Sequence, residues 1–322
     1  MAVVSRNGTH PYETQDALPC MQPKPDVAGH APDDLSDGDF AAVARMVHRE
    51  TGIVITAAKK SMLVSRLSRR LRSLGVTSFS DYVALLRGPA GEAERRALVS
   101  AVTTNVTGFF REPHHFKALH DLGGGLVERA RGGGRVRLWS AGCSTGQEAF
   151  SMAATLLALA PDLARHDLRI LATDIDPVVI ETARIGSFDH HAVGERPPAQ
   201  LSRFLKDGPA LGKTVVSQEL QELIRFEELN LLSRWPFQGN FDVIFCRNVV
   251  IYFDLETRRD LWMRFAGRMT EGGMLFIGHS ERMDPKLDPF FEPVGITQYR
   301  RTGQRVPAGA SAAEPISRLQ GE

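Results

Sequence analysis

The strongest constraint on how this 322-residue chain can fold lies near its middle. Residues 135–140 (Arg-Val-Arg-Leu-Trp-Ser) read as a short strand. They run directly into Ala141-Gly142-Cys143-Ser144-Thr145-Gly146, after which Gln147 and Glu148 open a helix. A strand, a tight glycine turn and a helix make the first unit of a nucleotide-type α/β site, because glycine lets the backbone turn sharply and approach a ligand closely. The spacing is Gly-x-x-x-Gly rather than Gly-x-Gly-x-x-Gly. The dinucleotide fingerprint is therefore missing, and taken alone the segment also fits an ordinary strand-to-helix turn. Residues 168–172, 223–226, 241–246 and 274–278 read as further strands, with helical segments at 147–159, 177–185 and 255–269. Strands alternating with helices predict an α/β fold with a parallel, doubly wound sheet. The alternation stops between 186 and 222, where residues 204–207 and 213–216 can pair as a hairpin about Gly208 and Gly212. A small antiparallel β-subdomain insertion is expected there. Residues 290–295 and 297–300 can close the sheet with an antiparallel hairpin.

Upstream the periodicity is helical only. Ser36 or Asp37 can cap a helix running through Phe40, Val43, Met46 and Val47. A second amphipathic helix is expected at 57–74, with Leu63, Leu67 and Leu71 on one face, a third at 79–86 and a fourth at 92–102. Residues 1–35 are rich in Pro, Gly, Asp and Ala and are expected to be a disordered leader; 301–322 are expected to be a disordered tail. The expected division is a helical N-terminal domain at 36–104 and an α/β domain at 105–300 that carries the insertion at 186–222.

Composition removes several function classes. The hydrophobic content of 43% suffices for a sizeable core, and the length suggests two domains. A formal net charge of +1 gives no global attraction to nucleic acid or to a membrane surface, so electrostatic recognition has to be local. Cys20, Cys143 and Cys246 are few, odd in number and without a Cys-x-x-Cys pair, which predicts neither a disulfide framework nor a zinc site and fits a reducing compartment. Arg6, His10, Glu13 and Asp16 interrupt any signal-peptide core, and the longest mostly apolar run, 152–160, is far short of a bilayer span. A cytoplasmic protein is expected, monomeric by default.

The expected strands end in polar residues. The second ends at Thr173-Asp174-Ile175-Asp176, where Asp174 is a candidate for gripping ribose hydroxyls and Asp176 for capping the next helix. The third ends near Glu227-Glu228-Leu229-Asn230-Leu231, where a polar side chain can read an adenine edge, and the fourth ends in Arg247-Asn248. Such groups fall in the crevice at the carboxyl edge of an open sheet. Each alone is also an ordinary loop start, and an acid such as Glu148 is favoured near any helix N-terminus by the helix dipole; four together are a less plausible coincidence.

At this point the residues resemble a family. Thr103-Thr104-Asn105-Val106-Thr107-Gly108-Phe109-Phe110-Arg111-Glu112 is similar to a motif of the chemotaxis receptor methyltransferases (CheR type). So are Trp139-Ser140-Ala141-Gly142-Cys143-Ser144-Thr145-Gly146-Gln147-Glu148, Ala172-Thr173-Asp174-Ile175-Asp176, Phe245-Cys246-Arg247-Asn248-Val249-Val250-Ile251-Tyr252-Phe253 and Gly278-His279-Ser280-Glu281. The resemblance runs over about residues 38–300, in the family's order and spacing. It implies a helical N-terminal domain joined to a class I, Rossmann-like methyltransferase domain with a small β-subdomain. It implies transfer of a methyl group from S-adenosylmethionine to glutamate side chains in the cytoplasmic helical region of methyl-accepting chemotaxis receptors, with S-adenosylhomocysteine as product, for sensory adaptation. It implies cofactor contacts from Asn105, Thr107, Arg111, Glu148, Asp174, Asn230, Leu231, Arg247 and Asn248, with Tyr252 near the reacting centre. A receptor's C-terminal peptide can be tethered at the β-subdomain in this family; the matching region here is 204–226. The departures are modest: Gln147 stands where a second acid is usual, and Gly108, Gly142 and Cys143 stand at positions where alanine is commoner.

Such a transfer needs little acid–base chemistry, since a glutamate with a pKa of about 4.3 is already ionised at neutral pH. No catalytic base or metal is expected. Arg111 is expected to orient the substrate carboxylate and Tyr252 to shape the slot, the rival reading of Arg111 being an ion pair with Glu112 or Glu148. The Asn/Asp-Pro-Pro-Tyr signature of nucleobase amino methylation is absent, and Arg247-Asn248 stands in its place. Residues 51–80 hold no acid and six bases: Lys59, Lys60, Arg66, Arg69, Arg70 and Arg72. Lys59, Arg66 and Arg70 line up along one edge of the leucine stripe, and with Arg69 they are expected to dock the acidic receptor helices. The plain alternative is a solvated basic face, and no aromatic residues are interleaved to stack on nucleic acid. The pairs His114-His115 and His190-His191 are adjacent, do not share a helix face and are not expected to bind metal.

Overall fold

The structure, a computed structural model, describes residues 34–194 and 197–307. The greater part of the leader and tail expected at 1–35 and 301–322 lies outside the described residues. At their inner edges those bounds shift: Leu35 is buried, and Arg301 ends a paired strand.

Helix α1 (Asp37–Thr51) starts where Ser36 accepts a hydrogen bond from the Asp39 N–H and stops at Gly52 in the left-handed conformation. A 3-10 turn at Ala57–Lys59 leads into α2 (Lys60–Leu74), followed by α3 (Phe79–Arg87) and α4 (Glu92–Val102). Leu63, Leu67 and Leu71, spaced on one face of α2, are fully buried against Val43, Val47, Phe79, Tyr82 and Leu98. Burying each of these leucines is worth about 2 kcal/mol, so the stripe alone accounts for much of the adhesion of this helical layer.

Helix α5 (Pro113–Arg131) comes next and was not legible as a helix, because Gly123, Gly124 and Gly125 lower its propensity. One of them has a packing reason. A Cβ on Gly123 would lie 2.5 Å from Leu159 Cδ1, so glycine lets α5 approach α6 (Gln147–Leu159) closely.

Strands β1 (Val136–Ala141) and β2 (Leu168–Asp174) flank α6 in sequence, and α7 (Pro177–Ile185) follows. The insertion comprises β3 (Ser187–Asp189), α8 (His190–Val193), α9 (Ala199–Ser202), β4 (Leu205–Asp207), β5 (Lys213–Val216) and α10 (Gln218–Gln221). The chain then adds β6 (Ile224–Glu228), β7 (Phe241–Cys246), α11 (Leu255–Ala266), β8 (Met269–Ile277), β9 (Phe291–Gly295) and β10 (Gln298–Arg301). The main sheet has the order β6-β2-β1-β7-β8-β10-β9, parallel from β6 to β8 and closed by the antiparallel β9/β10 hairpin. Two sequence expectations move: β8 begins at Met269 rather than at residue 274, and α11 ends at Ala266 rather than at residue 269. Strand alternation sorts side chains to two cores. Leu138, Val243 and Phe245 pack with α5 and α6 on one face, while Trp139, Ile244 and Cys246 pack with α11 on the other. With both faces covered, β7 is buried along its whole length, which is why it reads as a nearly continuous apolar run.

The insertion folds as a separate three-stranded antiparallel sheet, β3-β5-β4. It is anchored by Phe188, Leu201, Phe204 and Val216, which join the α5/α6 core. The strand order of the main sheet reverses between β1 and β7. In an open α/β sheet the crevice outside the carboxyl ends of the strands at such a switch point is where ligands bind.

Candidate functional site

A cleft of about 1210 Å³, its open mouth included, lies at that switch point. Its floor is the β1–α6 turn. Gly142 and Gly146 both have φ of 96°, and a Cβ on Gly142 would fall 2.3 Å from Val249 Cγ2. Glycine at both positions is required by the turn and by close packing on its neighbours, and Gly142 and Ser144 bring the turn to the cleft lining. Ser144, held at φ 50°, donates its N–H to Asp174 Oδ2 at 2.8 Å and its hydroxyl to the Asn105 carbonyl at 2.9 Å. Phe110, Glu112 and Asn248 also have positive φ. Non-glycine residues in this region cost of order 1–3 kcal/mol each and cluster where the surroundings over-determine them, commonly at functional sites.

The candidate cofactor residues Asn105, Thr107, Arg111, Glu148, Asp174, Asn230, Leu231, Arg247 and Asn248 all line this one cleft, as does Tyr252. Their side chains are not equally available. The Asn105 amide donates to Asp176 Oδ2 at 2.8 Å. The Asn230 amide donates to the Glu50 carbonyl at 2.7 Å while its oxygen accepts from the Leu232 N–H, which fixes the side chain and leaves one N–H and one lone pair for a ligand. The Leu231 carbonyl accepts from Trp235 and Arg264. Asp174, nearly buried at the end of β2, accepts from the Ser144 and Asp176 N–H groups, and burial pushes its carboxyl up. A carboxylate oxygen has further lone pairs, so it can still accept from a pair of hydroxyls. Asp176 caps α7 through the Val178 N–H, as the sequence predicts.

Arg247, 2% exposed at its side chain, is the electrostatic centre of the wall. It reaches Glu148 Oε2 at 3.0 Å, Glu112 Oε2 at 3.5 Å and the Arg111 carbonyl at 2.5 Å. Burial pushes the Glu148 carboxyl up, opposed by Arg247 and by the Ser140 hydroxyl at 2.6 Å. Burial also raises Glu112, but His279 and Arg247 outweigh it and hold Glu112 below its usual value. Both carboxylates proposed as ion-pair partners of Arg111 are thus taken by Arg247. The Arg111 side chain instead donates to the Val106 carbonyl at 3.0 Å at the cleft wall.

Ligand atoms of Glu112, His114 and His115 lie within 4.8 Å of one another, a convergence that the adjacency of the two histidines does not suggest. The Arg247 guanidinium and the N-terminus of α5 already bring positive charge to that spot, which disfavours a cation there. The Thr297 hydroxyl donates to the Ile296 carbonyl and so accepts from His115 Nε2 at 2.9 Å. Burial and the nearby Arg247 push His115 down to about 3, so the ring is neutral. Cys143 and Cys246 are buried free thiols whose ionisation burial suppresses, which leaves them unreactive.

The expected docking residues divide into two groups. Arg66 donates to the Val102 and Thr103 carbonyls at 2.8 and 2.9 Å, closing the C-terminus of α4. Arg70 makes a forked pair with the buried Glu94, which also accepts from Tyr82. Both arginines hold the helical layer together. Arg69 is exposed, and the Lys59 ammonium lies 5.4 Å over the Tyr252 ring at the cleft. Thr51, Ile53, Ile55 and Met62 also line the cleft from this layer; no pattern in the sequence marks them, because their place depends on how the layer packs on the sheet.

Comparison with known proteins agrees with this geometry. Residues 105–300 match the model of the CheR methyltransferase SAM-binding domain, and residues 38–103 that of the CheR methyltransferase all-alpha domain. The chain is 48% identical over 260 residues to a probable chemotaxis protein methyltransferase of Rhizobium etli, covering 80% of this chain and 97% of that protein. It is 42% identical to the chemotaxis protein methyltransferase of Klebsiella aerogenes (84% and 92% covered) and 40% identical to that of Escherichia coli (82% and 91%). A helical layer, an open α/β sheet with a glycine turn, and matches over both parts lead to one conclusion: the chain belongs to the CheR methyltransferase family.

Proposed function

We propose that this S-adenosylmethionine-dependent methyltransferase esterifies glutamate side chains of chemotaxis receptors in sensory adaptation. The observation that carries the reading is the cleft itself: the glycine turn and Asp174 on one wall, Arg111 and Tyr252 on another, and Lys59 from the helical layer at its edge. The names of the relatives support the substrate class.

The residues fit the cofactor. Asp174 would take the ribose hydroxyls, the Gly142–Gly146 turn would face the nucleoside, and Thr107 and Asn248 offer side-chain hydrogen bonds. When bound, the cofactor supplies a methyl group on a positively charged sulfur. The chain has to hold a substrate carboxylate in line with that methyl, and alignment of this kind can lower a barrier by up to about 7–11 kcal/mol. Arg111 is assigned to orient the carboxylate and Tyr252 to wall the slot. Neither a base nor a metal is assigned, because the nucleophile is already ionised. Charge is neutralised during transfer, so the largely apolar walls from Ile53, Ile55, Val102 and Phe253 favour it.

Lys59 and Arg69 are assigned to dock the cytoplasmic helical region of the receptor. The edges of the β3-β5-β4 sheet are the place for a tethered receptor peptide, by strand addition. No helix among the described residues is long and apolar enough to cross a membrane. A cytoplasmic monomer is the proposed working form. The test is transfer of labelled methyl from S-adenosylmethionine to a receptor cytoplasmic fragment, followed by mild alkali. Release as methanol establishes a carboxyl methyl ester, and label that survives alkali overturns the reading. Arg111→Ala should cut turnover far more than folding; unchanged turnover removes Arg111 from its role.

A further inference from the structure

We propose that Glu281 is a positioning residue for methyl transfer, its carboxylate being the anion around which the Asn248 turn is built. This deepens the methyl-transfer reading above and rests on it. The sequence Gly278-His279-Ser280-Glu281 follows β8, and no step assigned so far uses it. Glu281 is 1% exposed, and no ion pair to it is present among the described residues. Its Oε1 accepts from the Val250 N–H at 3.0 Å and its Oε2 from the Gly278 N–H at 2.5 Å. The N–H groups of Asn248 and Val249 also act on it. Asn248 is left-handed (φ 61°) and Val249 right-handed (φ −104°, ψ −52°). Successive residues of that kind turn their N–H groups into a concave nest that binds an anion.

A carboxylate taken out of water without a counter-cation is costly unless fixed dipoles replace the water; here burial pushes the Glu281 carboxyl up, and the backbone N–H groups offset part of that cost. The approach is close. A Cβ on Gly278 would fall 2.8 Å from the Asn248 nitrogen, so only glycine brings the end of β8 near enough to the nest. The turn that Glu281 holds is the one that carries Asn248 and Tyr252 into the cleft, directly after Arg247. The same loop also reaches the Arg111 segment, because the His279 ring nitrogen Nδ1 lies 3.0 Å from Glu112 Oε1.

Glu281→Gln keeps the size but replaces an acceptor oxygen with an N–H₂ facing N–H donors. With a receptor fragment as substrate, kcat per cofactor-binding site should fall at least tenfold, with KM for the fragment within twofold. The dissociation constant for S-adenosylhomocysteine should rise several-fold. Amide hydrogen exchange in residues 247–253 should quicken, with that of the N-terminal helices unchanged. Glu281→Asp, which keeps the charge, should recover part of kcat. Unchanged kcat per binding site overturns the proposal, as does a loss explained wholly by a smaller folded fraction. If Glu281→Gln does not fold, the wild-type protein decides: slow exchange of the Val250 and Gly278 amides supports the nest, and exchange as fast as in open loops overturns it. If the wild-type protein methylates no receptor fragment, the substrate reading fails, while the exchange and product-binding arms still decide the role of Glu281.

Discussion

His115 would take up a proton in mild acid as any free histidine does, and the fold prevents it. Its ring packs edge-on against Phe245 and Phe276 and donates to Thr297, with Arg247 and His114 opposing a proton and Glu112 favouring one. The unfolded chain takes up a proton on this side chain below about pH 6.5, but the folded chain does so only near 3, so His115 removes stability as the pH falls through that window. Between pH 7 and 5 the loss should be about 2 kcal/mol. Urea unfolding of His115→Phe at the two pH values should show a drop smaller than that of the wild type by this amount; equal drops would mean that the ring is not excluded from solvent protons. Arg247 makes the opposite case, a charge the fold keeps. Arg247→Met strands Glu148 without its cation and leaves Glu112 to His279, and breaking a buried pair in this way costs about 3–5 kcal/mol. The denaturation midpoint should fall accordingly, with loss of product binding measured by calorimetry. Neither role was readable beforehand. The sequence marks Arg247 as polar at a strand end, but its partners lie 99 and 135 residues away.

Helix α2 separates what a periodic pattern discloses from what it hides. The leucine stripe predicts the buried face, and burial follows it at Leu63, Leu67 and Leu71. The basic residues beside it share a spacing but not a fate. Arg66 caps α4, and Arg70 neutralises Glu94, because packing brings α4 against that edge. Arg69 and Arg72 point to solvent. Arg70→Ala should therefore cost stability, about 3 kcal/mol by chemical denaturation, through the stranded Glu94. Reversing Arg69 and Arg72 to Glu should change stability by less than ~0.5 kcal/mol and raise KM for a receptor fragment. An unchanged KM would remove this face from docking. Elements with an apolar run, a turn signal or a cap were legible along the chain, including β7, α6, α7 and the β4/β5 hairpin. Helix α5 was not, because three successive glycines lower its propensity and only the folded chain reveals that Gly123 serves a contact with α6. Likewise, nothing local announces that Asn105 and Asn230 each donate an amide N–H to the protein.

At the scale of the molecule, the cleft belongs to two layers joined by a polar seam. Asp176, 2% exposed, accepts from Ser100 at 2.6 Å and from Asn105 at 2.8 Å while capping α7. The Val54 N–H donates to the Tyr252 carbonyl at 2.9 Å, and the Asn230 amide reaches Glu50. The helical layer thereby sets the place of Tyr252 and lends Thr51, Ile53, Ile55 and Met62 to the cleft wall. A ligand that binds there is linked to the seam, and at a hundredfold excess over its dissociation constant it should stabilise the folded chain by about 2.7 kcal/mol. S-Adenosylhomocysteine should then raise the melting temperature of both layers in one transition, whereas binding to the sheet alone would move only part of the signal. Asp176 does not itself line the cleft, and its carboxylate reaches the cleft lining through the seam, at Asn105. Asp176→Ala should weaken product binding several-fold by calorimetry as well as lower the melting temperature. A lower melting temperature with unaltered affinity would mean that the sheet shapes the cofactor site alone and that the helical layer serves docking only.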